Sequence, residues 1–307
     1  MQDQKTQKYS VIIIGGGLSG LAALKRLVDK GQKDILLLES NEKVGGRVHT
    51  YTKNNLYLDK GASWVCPQQN RILELLKEYQ IETIEQYTAG KNILKYIGKE
   101  NTGDEQILIC QQVIVCIPPQ SLNGKVQFTN ILDKKREQIQ TVKIGELIKC
   151  YLVFKSPFWR KKGFSGLIFN IIKQPCLYYD LSNDQYGILL AFYQQGRENT
   201  NEKFLQKSLK ERENIILKDC MEYFDINTIQ EEFLFYSDDN FIGKEGINGC
   251  PVGVAGVDYW KQFGDVWNVQ YKGIFWASTE CSIIWNGYME GAVRAGEKAA
   301  NDILGSL

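Results

Sequence analysis

A chain of 307 residues is long enough to bury a sizeable core, as one large domain or as two. Its 43% hydrophobic and 24% charged residues are those of an ordinary soluble globular protein, which excludes a disordered, collagenous or coiled-coil chain. A formal net charge of +1 gives no electrostatic case for nucleic acid or an anionic membrane as a partner.

Residues 9–40 read as a β-α-β unit. Residues 9–14 form a short apolar run rich in β-branched side chains, the pattern of a buried parallel strand. Three glycines break it, Leu18, Leu21, Ala22, Leu24 and Leu27 then recur at helical spacing, and Gly31 supplies a stop. A second apolar strand, 35–38, ends on Glu39. Ile72, Leu73, Leu75 and Leu76 give a helical stripe within 65–90. Around 91–112 the pattern is polar and irregular, with a turn at Gly103 and Asp104. Strands follow at 113–116, closed by Pro118 and Pro119, and at 147–154. Residues 202–224 form one long amphipathic helix with Phe204, Leu205, Leu209, Ile215, Ile216 and Met221 as its buried set. A strand at 273–277 and a helix at 287–304 close the chain.

Cysteines 66, 110, 116, 150, 176, 220, 250 and 281 are scattered without a CxxC pair, and His49 is the single histidine. That argues against a metal centre and a disulfide scaffold, and for reduced thiols in a reducing compartment. The polar amino terminus lacks the apolar run of a secretory signal. No apolar stretch is long enough for a transmembrane anchor, so the expectation is a soluble, cytoplasmic protein.

Gly15, Gly17 and Gly20 match G-x-G-x-x-G between a strand and a helix. Gly15 allows the tight turn, Gly17 lets the backbone approach a pyrophosphate, and Gly20 lets the helix lie close to the strand. The helix start, with Ser19 in its first turn, then offers free N–H groups and a positive dipole end. Glu39, nineteen residues past Gly20, stands with Ser40 where an acceptor for a ribose hydroxyl belongs, and it would repel the 2′-phosphate of NADP.

FAD rather than NAD is indicated by Gly45-Gly46-Arg47, which resembles the GGR element of the large FAD family that includes the amine oxidases. The resemblance implies an arginine reaching back to the pyrophosphate. Two distant segments sharpen it to the monoamine oxidases. The first is Phe275 to Glu280 (FWASTE) followed by Trp285 to Ala292 (WNGYMEGA); the second is Ile148-Lys149-Cys150 followed by Pro157 to Lys162 (PFWRKK). Residues 59–63, ending on Ser63, and Gln69-Asn70-Arg71 fit as well. The resemblance covers about 1–96 and 105–307.

The resemblance carries roles residue by residue. Cys250, thirty residues before Glu280, matches the cysteine that carries the flavin as an 8α-thioether. Lys149 matches the lysine joined through water to flavin N5, where a cation helps dioxygen reoxidise the ring. Tyr288 matches one wall of the aromatic sandwich around the amine, and Ala191-Phe192 a pair lining the same cavity. Thr279, Glu280 and Met289 fall in the flavin-binding ending, where a helix start faces the flavin N1–C2=O edge.

The sequence also departs from the family. Pro251 stands where the second sandwich tyrosine belongs, Phe241 where a tryptophan is common, and Ala62 and Ser278 where glycines are expected. Only fifteen residues (98–112) join points between which relatives carry a whole lobe. The chain is therefore expected to be either a truncated product or gene model, or a reduced paralogue.

The expected fold is α/β, a Rossmann-like FAD-binding parallel sheet of the glutathione-reductase type with a reduced α+β substrate region. The FAD-binding domain takes 1–90 and 241–307 with a strand contribution from 105–125, and the substrate-binding region takes 126–240. The expected partners are a small-molecule amine and O2, with a homodimer compatible. The expected reaction yields an imine, hydrolysed to an aldehyde, and hydrogen peroxide. Two alternatives stay open: a catalytically inactive flavin-binding paralogue, and a polyamine or amino-acid oxidase of the same superfamily.

Overall fold

The structure is a computed structural model. It describes residues 8–53, 56–86, 109–122, 126, 128, 131–170, 174–175, 177–195, 203–224, 226–244, 247–264, 266–271 and 273–305. The turn expected at Gly103 and Asp104, and most of the short join at 98–112, lie outside these residues.

In chain order the first elements are β1 (Lys8–Ile14), α1 (Leu18–Asp29), β2 (Ile35–Leu38), β3 (Thr50–Lys53), β4 (Leu56–Asp59) and α2 (Asn70–Glu78). Next come β5 (Ile109–Val115), α3 (Pro119–Leu122), α4 (Asp133–Thr141), β6 (Leu147–Phe154) and α5 (Phe158–Lys161). The strands β7 (Ile168–Phe169), β8 (Leu177–Asp180) and β9 (Gly187–Gln194) precede α6 (Leu209–Cys220) and α7 (Ile226–Glu232). The chain closes with β10 (Phe233–Asn240), α8 (Tyr259–Phe263), β11 (Ile274–Trp276) and α9 (Met289–Leu304). Two compact units result, one drawn from Met1–Glu82, Glu100–Gly145 and Ile242–Leu307, the other from Thr83–Lys99 and Glu146–Phe241.

The first unit is built on a four-stranded sheet in the order β11-β5-β1-β2, parallel at every pairing. Parallel strands covered on both sides need apolar side chains in both directions, and the run at 11–14 supplies them. Val11 and Ile13 are fully buried against Ala23 and Leu27 of α1, Ile114, Phe275, and Ala299, Ala300 and Ile303 of α9. This core aims the β1–α1 turn at the carboxyl ends of the strands, where open parallel sheets bind ligands.

The second unit is a five-stranded antiparallel sheet, β10-β6-β9-β8-β7. One of its faces packs on α5 and α6. There Phe154, Phe158, Trp159 and Phe224 meet edge to face, with centroids 5.1–5.7 Å apart along the series. On the same face Asp180 accepts from Trp159 Nε1 at 2.8 Å and from both arms of Arg160.

Three expectations need correction. The helix expected over 202–224 is a short 3-10 turn, Phe204–Gln206, followed by α6. Ser208 restarts it with a capping box, its hydroxyl accepting from the Glu211 N–H and its own N–H donating to the Glu211 carboxylate. Leu209, expected in the buried set, is 52% exposed at the first position of the restarted helix. Residues 126–145, expected in the substrate region, fall in the first unit. Ile131 and Ile139 pack with Leu122 and Trp276 there, and Val142 with Tyr259 and Trp267. Among the described residues no helix is long and apolar enough to cross a membrane.

Candidate functional site

The β1–α1 turn has the geometry its glycines dictate. Gly15 sits at φ +104°, the left-handed region that favours glycine, and its N–H bonds the Leu38 carbonyl at 2.8 Å. A Cβ on Gly20 would lie 1.9 Å from the Gly15 carbonyl oxygen, so helix and turn touch at a distance only glycine permits. Gly17 differs. At φ −70° it is free of strain, and a Cβ there would meet only the Gly46 Cα, 4.0 Å away. Gly17 caps α1 without a side-chain hydrogen bond, and the first turn holds no acidic residue. The N–H groups of that turn are therefore uncapped behind open space, an arrangement that suits an anion.

Ser19 is turned inward, 5% exposed beside the Cys116 thiol, so its contribution to such an anion is its main-chain N–H. Gly46 closes the other side of the turn, and Gly45 N–H bonds the Gly16 carbonyl at 2.8 Å.

Glu39 holds the turn from the β2 side. Its Oε2 accepts the Gly16 N–H at 2.7 Å, and its Oε1 accepts the Asn41 N–H and Nδ2 at 2.9 and 2.7 Å. Burial alone would push this carboxyl up; the hydrogen bonds from Asn41 and Gly16 outweigh it and hold it below its ordinary range. Ser40 Oγ joins the same cluster, accepting from Asn41 Nδ2 at 3.2 Å. Asn41 escaped the sequence reading, though an Asx two residues past an acid is a readable turn signal.

Arg47 is not free to face only an anionic ligand. Its Nη1 and Nη2 make a bidentate pair with Glu280 at 2.8 and 3.1 Å, and Nη1 also donates to the Pro251 carbonyl at 2.7 Å. Glu280 is 1% exposed; burial would raise its carboxyl, but the Arg47 guanidinium and the Gly253 N–H hold it down. The pair thus clasps the loop that carries Cys250 from one side. On the other, Cys250 N–H bonds the Gly145 carbonyl at 2.8 Å. Cys250 itself is half-buried. Ser63 lies on the segment after β4, its Oγ donating to the Asp59 carbonyl at 3.2 Å.

Thr279 Oγ1 donates to the Tyr288 carbonyl at 2.8 Å, fixing the start of α9. Tyr288 is 53% exposed, its ring edge-on to Trp285 at 5.2 Å. Met289 packs with Ala22, Ile72 and Val293, so only its main chain is available at the helix start. Glu290, unforeseen in the sequence, is fully buried and accepts the N–H groups of Arg71 and Ile72, capping α2.

In the second unit, Lys149 on β6 is 8% exposed, with Nζ 5.9 Å from the ring centroid of Phe192. Lys149 pairs with Phe192 and Cys150 with Ala191 across β6 and β9. Successive side chains of a strand point to opposite faces. Phe192 therefore shares the face of Lys149, whereas Ala191 lies on the other with Cys150. The expectation that Ala191 and Phe192 line one cavity is corrected on that ground.

The family profile of flavin containing amine oxidoreductase matches residues 18–109 and 101–304. The chain belongs to the flavin-containing amine oxidoreductase family. It is therefore an oxidoreductase of the FAD-dependent, amine-oxidising type, with an amine and O2 as substrates. Mouse amine oxidase [flavin-containing] B is 24% identical over 461 residues, covering 98% of this chain and 87% of the mouse protein. The dog amine oxidase [flavin-containing] A is 23% identical, covering 97% and 85%. Putrescine oxidase bound to putrescine superposes with a TM-score of 0.84 at 19% identity, over 98% of this chain and 100% of that one. Cyclohexylamine oxidase from Brevibacterium oxydans IH-35A does so with a TM-score of 0.84 at 17% identity, over 98% and 99%.

The flavin-containing amine oxidoreductase fold is thus reached with fewer residues. A match running over 461 residues against a chain of 307 leaves about a third of it opposite no residue here. The two parts of the family match meet at 101–109, the place of the short join. FAD fits the residues that are present: the open position at Gly17 and the uncapped α1 start suit a pyrophosphate.

Proposed function

We propose that the first unit holds FAD, that Cys250 carries it covalently as an 8α-thioether, and that an amine is oxidised there. The observation that supports this reading most is the open space at Gly17 in front of an uncapped helix start. Gly15, Gly17, Gly20 and Gly46 would admit the pyrophosphate, and the N–H groups around Ser19 would bond it. Arg47, with five donors of which Glu280 and Pro251 engage some, would reach a phosphate oxygen while still clasping the loop. Glu39 and Ser40 would meet the ribose, exchanging hydrogen bonds now made within the turn. Ser63, Thr279, Glu280 and the Met289 N–H complete the cofactor-binding set.

Bound FAD supplies a two-electron acceptor for the amine's α carbon–hydrogen bond and passes the pair to dioxygen, giving imine and hydrogen peroxide. The Tyr288 ring would guide the neutral amine, and Phe192 would offer it an apolar contact. Lys149 would hold a water and a proton where dioxygen is reduced. With Pro251 in place of a second tyrosine, the amine cage would lack the aromatic wall that position supplies in the family, which favours aliphatic over arylalkyl amines.

The test is acid precipitation of the purified protein. Yellow colour is expected to stay with the pellet and, in Cys250→Ala, to pass entirely into the supernatant. Colour in the wild-type supernatant removes the thioether and leaves the FAD site standing. A second reading, a flavin-binding paralogue without turnover, is favoured by Pro251 and by the shortened chain. Peroxide released with any aryl, alkyl or polyamine substrate eliminates it.

A further inference from the structure

Lys149 is 8% exposed, and an ammonium so far from water needs a compensating charge. The sheet decides where that charge is. In the antiparallel pairing of β10 with β6, Asp239 stands directly opposite Lys149, and Asp238 opposite Cys150. Opposed residues of an antiparallel pair have Cβ atoms about 4.5–5.5 Å apart and share a face. Asp238 is committed on the other face, where Arg212 binds it through Nε at 2.6 Å and Nη2 at 3.0 Å and Tyr236 donates to it at 2.7 Å. Among the described residues of the five strands, Lys149 and Asp239 are the only charged side chains on their face, as the registers assign it. The other groups around Lys149 there are Phe192 and Gln194 of β9, Tyr151 of its own strand, and Tyr179 of β8 beyond Phe192.

We propose that Asp239 is the positioning counter-ion of Lys149, keeping its ammonium protonated and held on the sheet face that also presents Phe192. The proposal rests on the reading of Lys149 as the residue that serves dioxygen reduction. Asp239 acts through Lys149 and needs no contact with amine or cofactor. Its effect belongs to reoxidation by dioxygen, which uses the ammonium, and not to reduction by the amine.

Competitive acetylation of Lys149, followed by mass spectrometry across the neutral and alkaline range, reads the pairing directly and without cofactor. Only the deprotonated amine reacts. In Asp239→Asn the labelling profile is expected to move to lower pH by about one unit, roughly a tenfold faster reaction at neutral pH. Asp239→Glu is expected to restore the wild-type profile, and Asp238→Asn to leave it in place. Asp239→Ser provides a second neutral variant should the Asn protein fail to fold. Identical profiles in wild type and a folded neutral variant overturn the proposal. A second arm reads the two half-reactions of the FAD-loaded protein: slower reoxidation with unchanged reduction by amine in Asp239→Asn supports the role. If labelling shifts while reoxidation is unchanged in both Asp239→Asn and Lys149→Met, the pairing stands and the assigned role of Lys149 falls.

Discussion

Arg47→Met is expected to destabilise the cofactor-free protein by roughly 3–5 kcal/mol, because it leaves a buried carboxylate without its partner. Glu280 is 1% exposed and Arg47 17% exposed, so little water replaces the lost guanidinium. Only main-chain donors would still face the Glu280 carboxylate, the Gly253 N–H at 3.1 Å from Oε1 and the N–H of Glu280 itself. Replacing both residues by methionine should recover most of the loss, since two apolar groups of similar volume need no compensation. The pH dependence follows from the depressed carboxyl of Glu280. Its contribution is complete above the ordinary carboxyl value of 4.5 and disappears as pH falls through the lower folded value. Urea unfolding of apo protein at several pH values checks this. Wild type should lose stability in acid over that window, and the double variant should show no such component.

Gly17→Ala is expected to leave the fold intact and to weaken FAD binding about a hundredfold, ~2.8 kcal/mol. The backbone at φ −70° accepts an alanine, and the new Cβ meets only the Gly46 Cα at 4.0 Å. The methyl group occupies the space into which a pyrophosphate must come. Gly20→Ala is the contrasting case. Its Cβ would fall 1.9 Å from the Gly15 oxygen and 3.4 Å from Ile13 Cγ2, so stability and binding should fail together. Thermal melts of the apo proteins and FAD titration by fluorescence quenching separate the two. Unaltered FAD affinity in Gly17→Ala would remove the pyrophosphate from this turn.

What was legible in the sequence was local. The β1–α1–β2 unit is written in period and punctuation, because apolar runs, glycines and the terminal acid fall within thirty residues and need no distant partner. The position of Glu39 after β2 can be read from the sequence, but its bond to the Gly16 N–H cannot, since the same carboxylate could as well wait for a ligand. Arg47 and Glu280 are 233 positions apart, and no local pattern announces their pairing. Face assignments were recoverable only in part. Strand alternation alone separates Ala191 from Phe192, yet matching Asp239 rather than Asp238 to Lys149 needs the β10–β6 register. The break at Ser208 was written in its S-x-x-E pattern, hidden inside an apolar periodicity that continues on either side of it.

Family membership rests on nearly the whole chain; the working site rests on a chain that lacks about a third of its relatives' matched length. Anaerobic titration of the FAD-loaded protein with aliphatic amines tests that combination most directly. The account predicts that the oxidised flavin absorbance bleaches with amine and returns on admission of air, with one hydrogen peroxide formed per turnover. A purified protein that remains colourless and takes up no FAD would contradict it.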